Sequence, residues 1–185
     1  MGGIEIAAAL LGVINVLLVV RRSIWNYPFG IAMVALYFFV FWEAKLYSDA
    51  LLQIFFLLIQ LYGWWAWIHA ARVDHGVAVG WLANSARMRW IAGTALAIIF
   101  WGTGMARLTD AAAPFADATV AGLSVSAQIL QSFRRVESWV LWICVDILAI
   151  ALFSWRGLGV TAALYCLFLV LAVLGLVEWR RKAQA

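Results

Sequence analysis

Apolar residues run along this chain in stretches much longer than a buried soluble helix needs, broken at intervals by short polar or basic segments. The stretches predict seven helices, at roughly 4–20, 27–42, 47–68, 90–109, 116–133, 136–154 and 158–178. A bilayer core about 30 Å thick takes about 20 apolar residues per helix, so the fold expected is an all-α integral membrane protein with seven transmembrane helices. The fifth is the most polar, with Thr119, Ser124, Ser126, Gln128 and Gln131, and has to be shielded from lipid by its neighbours. The first carries Glu5 at its head and Arg21-Arg22 at its tail. A cleavable signal peptide would place its positive charges first, so this segment is expected to be a span.

The pattern repeats. Sliding the chain by 112 residues superposes Arg22 on Arg134, Phe41 on Phe153, Phe56 on Phe168, Gly63 on Gly175 and Trp67 on Trp179, without a gap. Leu and Ala coincidences mean little here, but Arg, Gly and Trp at corresponding helix ends are harder to obtain by chance. The offset predicts a first three-helix repeat over 1–68, a loop and connector helix over 69–115, and a second three-helix repeat with a short basic tail over 116–185. One connector helix keeps both triplets in the same orientation. This 3+1+3 parallel duplication is one of the two repeat types of transporter folds, with solute expected near mid-membrane between the halves.

Polar residues within the apolar runs fall in rows spaced by three or four, the spacing of one helix face. The third span carries Asp49, Gln53, Phe56, Gln60, Trp64 and Trp67; the fifth carries Ser124, Gln128 and Gln131. The second offers Asn26, Gly30, Met33 and Tyr37, and the seventh Thr161, Tyr165 and Phe168. An unpaired amide in hydrocarbon costs several kcal/mol, so these faces must look into protein or water. In the sixth span Glu137, Trp139, Trp142 and Asp146 descend to mid-helix. A carboxylate there costs on the order of 3 kcal/mol on insertion scales, and no intramembrane Lys or Arg is evident as its partner. The counter-charge can be the solute, on which the Trp rings would stack. The plainer readings are interhelical hydrogen bonds for the Gln and Ser rows, an aromatic belt for most tryptophans, and a neutral hydrogen-bonded acid for Asp146.

Composition and charge narrow the picture further. The 185 residues are 67% hydrophobic and 12% charged, which leaves no room for an extramembrane domain. The net charge of +4 does not point to nucleic acid, because the basic residues cluster between apolar runs. Arg21, Arg22, Arg72, Arg87, Arg89, Arg134, Arg135, Arg180, Arg181 and Lys182 fall on one side, and Lys45, Arg107 and Arg156 on the other. The positive-inside rule then predicts an external N-terminus and a cytoplasmic C-terminus. Cys144 and Cys166 lie within apolar segments and read as small hydrophobes. His69 and His75 are expected to be solvated. No phosphate loop, metal-ligand pair or nucleophile elbow occurs, so neither a cofactor nor ATP-driven pumping is expected.

These residues carry a resemblance. Trp25-Asn26-Tyr27-Pro28-Phe29-Gly30, the stretch Leu46 to Phe56, and Tyr62-Gly63-Trp64-Trp65-Ala66-Trp67 resemble the PnuC-type vitamin transporters. Ala127-Gln128, Glu137-Ser138-Trp139-Val140-Leu141-Trp142 and the closing Gly175 to Trp179 extend the likeness across nearly the whole chain. The resemblance implies a SWEET-like fold in homotrimers of the bacterial inner membrane, and uptake of nicotinamide riboside by facilitated diffusion with retention by a separate cytoplasmic kinase. Close relatives carry thiamine or riboflavin. It further implies a solute site drawing on Gln53, Trp139, Trp142 and an Asn one turn below Trp142. Here that position is Asp146, an acid that suits a pyridinium and equally a cationic thiamine.

The candidate substrate site is therefore Asn26, Tyr37, Gln53, Gln128, Trp139, Trp142, Asp146 and Tyr165. Gln53, Gln128 and Asn26 would meet the amide and hydroxyls of the solute, whose ring would lie on Trp142 near Asp146. A membrane enzyme or sensor using Asp146, Glu137 and Asp49 would need a carboxylate pair or His at reacting distance, and the predicted spans set Asp49 and Glu137 at opposite faces. A purely structural subunit would not need polar rows on four spans.

Overall fold

The computed structural model describes residues 3–43, 47–73, 77–109, 113–155, 157 and 159–184. It is all-helical: α1 (Gly3–Val20), α2 (Asn26–Glu43), α3 (Tyr47–Val73), α4 (Asn84–Leu108), α5 (Pro114–Ser132), α6 (Glu137–Trp155) and α7 (Gly159–Gln184). All seven expected helices are present. Three outrun the predicted spans, with α3 and α7 extending at their C-termini and α4 starting at Asn84. Apolarity marks only the part of a helix that lies in hydrocarbon. Beyond it the helix continues in water, where Arg72, Arg181 and Lys182 in the last turns of α3 and α7 favour the C-terminal dipole.

Five helices, α1, α3, α4, α6 and α7, are long and apolar enough to cross a membrane. The other two are built into the same bundle. Helix α2 packs between α1 and α3, and α5 packs against α3, α4 and α6, so the polar residues of α5 find protein on three sides. The contacts run α1–α2–α3–α5–α6–α7 and back to α1, a closed ring of six, with α4 resting on α5 from outside.

The turns that join α1 to α2 and α5 to α6 have the same hydrogen bonds 112 residues apart. Arg22 N–H donates to Val19 O and Ser23 N–H to Leu18 O; Arg134 N–H donates to Gln131 O and Arg135 N–H to Leu130 O. This is the Schellman closure of a helix C-terminus. It requires a left-handed residue, and both turns use an arginine, Arg22 at φ 55° and Arg134 at φ 60°. The turns then start the next helix identically, through Asn26 N–H to Ser23 O and Ser138 N–H to Arg135 O.

The side chains that follow correspond as well. Tyr27 meets Trp67 edge-on at 5.4 Å and 88°, and its counterpart Trp139 meets Trp179 edge-on at 5.5 Å and 88°. Trp67 and Trp179 lie 5.9 Å apart. Close helix approach is what seats them: a Cβ on Gly63 would fall 2.7 Å from the Tyr27 hydroxyl, and one on Gly175 would fall 2.6 Å from the Trp139 ring. These four aromatics, with Val19, Val77, Val136 and Ala172, form the buried core at the basic end of the ring.

Candidate functional site

Away from that core, the faces that α2 and α6 bury are again in register. Helix α2 buries Asn26, Tyr27, Gly30 and Val34; α6 buries Ser138, Trp139, Val145, Asp146 and Ala149, with Trp142 between. Under the 112-residue offset Trp142 corresponds to Gly30 and Asp146 to Val34. Helices α2 and α6 are not neighbours in the ring and hold corresponding positions in it under the 112-residue offset, the second bearing an indole and a carboxylate four residues apart.

Trp142 is held by a single polar contact. Its Nε1–H donates to Gln131 Oε1 at 2.7 Å, which ties α6 to the last turn of α5 and fixes the plane of the indole. One turn further along, Asp146 is 4% exposed. Tyr165 of α7 lies within electrostatic reach of both Asp146 and Tyr37 of α2. The three candidates come from three helices, α2, α6 and α7. Tyr165 also packs on Phe153 at 5.3 Å and Phe168 at 5.9 Å, and Tyr37 stacks on Phe41 at 5.7 Å.

The remaining candidates sit differently. Trp139 is wholly inside the aromatic core with its indole N–H unpartnered. The Asn26 amide donates to Ser23 O at 2.7 Å while the Asn26 carbonyl accepts from Asn15 Nδ2 at 2.7 Å, so Asn26 is engaged in joining α1 to α2. Gln53 is half-buried on α3, at the position that corresponds to Tyr165. Gln128 is buried, with its backbone carbonyl accepting from Ser132 Oγ at 3.0 Å. Glu137 does not descend into the ring: its carboxylate accepts from Leu82 N–H at 2.9 Å and pairs with Arg87 at 2.9 Å. The Asp49 side chain and His75 lie outside the described residues.

The structure adds a feature that hydropathy does not reveal. The segment Val77–Leu82, between α3 and α4, crosses the basic end of the ring as a strap. Gly80 forms a parallel bridge with the α5–α6 turn, its N–H donating to Arg134 O at 3.1 Å and its carbonyl accepting from Val136 N–H at 3.0 Å. On the other triplet, Arg22 Nη1 donates to Val77 O at 3.0 Å. Val77 is buried among Tyr27, Trp67, Trp139 and Trp179, so the strap joins both arginine turns and seals the aromatic core. Its sequence signal is weak, since Val77-Ala78-Val79-Gly80-Trp81-Leu82 is far too short for a span and falls within the expected loop. Asn15 was also missed: a lone Asn in an apolar helix gives no row, and only the tertiary contact with α2 reveals its place.

Two surface grooves lie elsewhere. One, of about 270 Å³, runs between α5 and α6 beside Phe115, Thr119 and Leu148; the other, of about 520 Å³, lies at the α1–α7 seam beside Arg21 and Arg181. Neither is lined by the candidate residues.

Comparisons with known proteins agree with this arrangement. The chain is 26% identical to the nicotinamide riboside transporter PnuC of Escherichia coli (strain K12), over 98% of this chain and 86% of that protein. It is 25% identical to the riboflavin/roseoflavin transporter RibM of Streptomyces davaonensis, over 97% of this chain and 85% of that one. A crystal structure of the vitamin B3 transporter PnuC superposes with a TM-score of 0.80 at 26% identity, covering 98% of this chain and 82% of the other. The sequence model of the nicotinamide mononucleotide transporter family matches residues 2–181. Enclosed polar groups in a ring of apolar helices, with relatives that are carriers throughout, belong to a membrane transporter and not to an enzyme, and this chain is a member of the nicotinamide mononucleotide transporter family.

Proposed function

We propose that this protein takes up nicotinamide riboside by facilitated diffusion across the bacterial inner membrane. The observation that carries the reading is the buried stripe of α6, where Trp142 is held by Gln131 and Asp146 lies buried one turn away. The solute is a flat, positively charged pyridinium bearing a carboxamide and a ribose. An indole stabilises such a ring by stacking and cation–π attraction, and the Asp146 carboxylate supplies the negative counter-charge to the pyridinium. Tyr37, Tyr165, Gln53 and Gln128 would supply hydroxyl and amide partners for the ribose.

The scaffold in this reading is a 3+1+3 parallel duplication of seven spans, SWEET-like, with α4 as the connector and the N-terminus outside. It is supported by the identical arginine turns, the matching glycine approaches and the two edge-on aromatic pairs. The triplets meet at the α1–α7 and α3–α5 seams, which correspond under the 112-residue offset, and through the Trp67–Trp179 contact at the basic end. Rocking at those seams would part the four aromatics and release solute on the basic, cytoplasmic side. A solute running down its gradient needs no ion or nucleotide, and a separate cytoplasmic kinase would retain it by phosphorylation. Each protomer of a homotrimer would hold its own path.

Uptake of labelled nicotinamide riboside into proteoliposomes tests the proposal. Uptake should proceed without a proton or sodium gradient and reverse when the solute gradient reverses, and Asp146→Asn and Gln53→Ala should each slow it at least tenfold. Uptake equal to that of empty liposomes would overturn the function, and undiminished uptake by both variants would overturn the site. The riboflavin-carrying relative makes riboflavin the first competitor to include, with thiamine second. Asp146 argues for the two cations over neutral riboflavin.

A further inference from the structure

The duplicated scaffold is symmetric, but its interior is not. At the level where α6 presents Trp142, the corresponding residue of α2 is Gly30. The neighbours change in step: where the second triplet has Ala127 and Ala172, the first has Asn15 and Gln60. Both amides converge on the glycine. A Cβ there would overlap the Gln60 Nε2, fall 2.6 Å from Gln60 Oε1 and fall 2.7 Å from Asn15 Nδ2. The space an indole fills on one wall is occupied by two amides on the other.

Gln60 is 4% exposed and makes no hydrogen bond to any described residue, whereas Asn15 is anchored by its donation to Asn26 O. The Gln60 amide atoms are not among the fully buried atoms that lack a partner, so they keep a trace of exposure. The plain account of a buried Gln in a membrane helix is an interhelical hydrogen bond, and Gln60 makes none. Its amide sits over the Gly30 backbone, where there is no side chain, with the Asn15 amide converging on the same glycine.

Building on the transport reading above, we propose that Gln60, seated on Gly30 and backed by Asn15, is the carboxamide-recognising element of the site, on the wall opposite Trp142. A side-chain amide and a primary carboxamide form two antiparallel hydrogen bonds, each group's N–H meeting the other's carbonyl. The pair fixes which way a flat ring lies on Trp142 and rejects rings that lack the amide or carry a carboxylate there. Gly30 is required because any larger residue takes the place of the Gln60 amide.

The test compares two solutes on the purified protein by calorimetry: nicotinamide riboside and ribosylpyridinium, which has the same charged ring and ribose but no carboxamide. The wild-type protein should prefer nicotinamide riboside by about ten- to hundredfold, the range for a pair of buried hydrogen bonds. Gln60→Leu should abolish that preference and leave ribosylpyridinium binding unchanged. Gly30→Ala, which displaces the amide without deleting it, should do the same, and remains informative if Gln60→Leu fails to fold. A preference that survives both substitutions overturns the proposal, and so does an equal loss for both solutes, which marks a structural role. If the wild-type protein binds neither solute, the transport reading itself fails, and that result is separable because it does not involve Gln60.

Discussion

Gly175→Ala isolates the packing that closes the basic end of the ring. A methyl group at this position would lie 2.6 Å from three atoms of the Trp139 indole, well inside van der Waals contact. The ring has nowhere to go, because Trp139 is 1% exposed and is pressed edge-on against Trp179. Overpacking of a rigid buried group costs about 3 kcal/mol at the upper end of the usual range. Replacing Gly by Ala within a helix returns about 1 kcal/mol. The net destabilisation is then about 2 kcal/mol, which lowers the apparent Tm of a chain of this size by about 4–8 °C. Gly63→Ala should behave alike, because its methyl would fall 2.7 Å from the Tyr27 hydroxyl and 2.9 Å from Ser132 Oγ. Gly104→Ala is the control: nothing lies within 4 Å of its Cβ, so only the helix-propensity gain remains. Thermal unfolding of the three variants in one detergent, followed by tryptophan fluorescence, makes the comparison. A Gly175→Ala protein as stable as Gly104→Ala would refute the close approach, and a harmless Gly63→Ala would refute its equivalence in the two triplets.

Two further outcomes follow from single contacts. Gln131→Leu deletes the acceptor of the Trp142 indole N–H and should raise KM for transport about five- to tenfold, the effect of one buried hydrogen bond of about 1–1.5 kcal/mol; Gln131→Glu keeps an acceptor and should restore most of the loss, and equal impairment of the two variants would contradict a positioning role. Glu137→Gln removes the charge that faces Arg87 but keeps an acceptor for Leu82 N–H. Arg87 is more than a third exposed, so stability should fall by less than about 1 kcal/mol, while hydrogen exchange over Val77–Leu82 quickens; unchanged exchange there would show that the pair does not secure the strap.

The seven helices and their order were legible because the hydrocarbon core imposes its own length on apolar runs, and no solvent competes inside it for backbone hydrogen bonds. The correspondence of Arg22, Gly63 and Trp67 with the residues 112 positions on was legible too, because each is the residue type its place demands: a left-handed turn, a close helix approach, a large edge-on ring. Other features were not legible. Asn26 read as a member of a polar row, but its amide and carbonyl are taken up within the α1–α2 connection. Glu137 read as the entrance to a polar descent, but the Arg87 and Leu82 that hold it come from the strap and the start of α4. Periodicity tells which residues share a face of one helix; it is silent on which other element arrives there.

The division between sequence and tertiary structure follows from that. Sequence by itself determined that the chain is a helical membrane protein and that amides, an indole and an acid stand in rows along its apolar helices, since each of these is a property of one segment in its solvent. Only the tertiary structure decided that the helices close as a ring with α4 outside, that Val77–Leu82 crosses its basic end, and that Gln131 rather than any nearer residue holds Trp142. It also set the amides of Asn15 and Gln60 on Gly30. Those arrangements depend on the fit of surfaces far apart in the chain, and a hydrogen bond or a 2.6 Å approach is fixed by the packing of both partners at once.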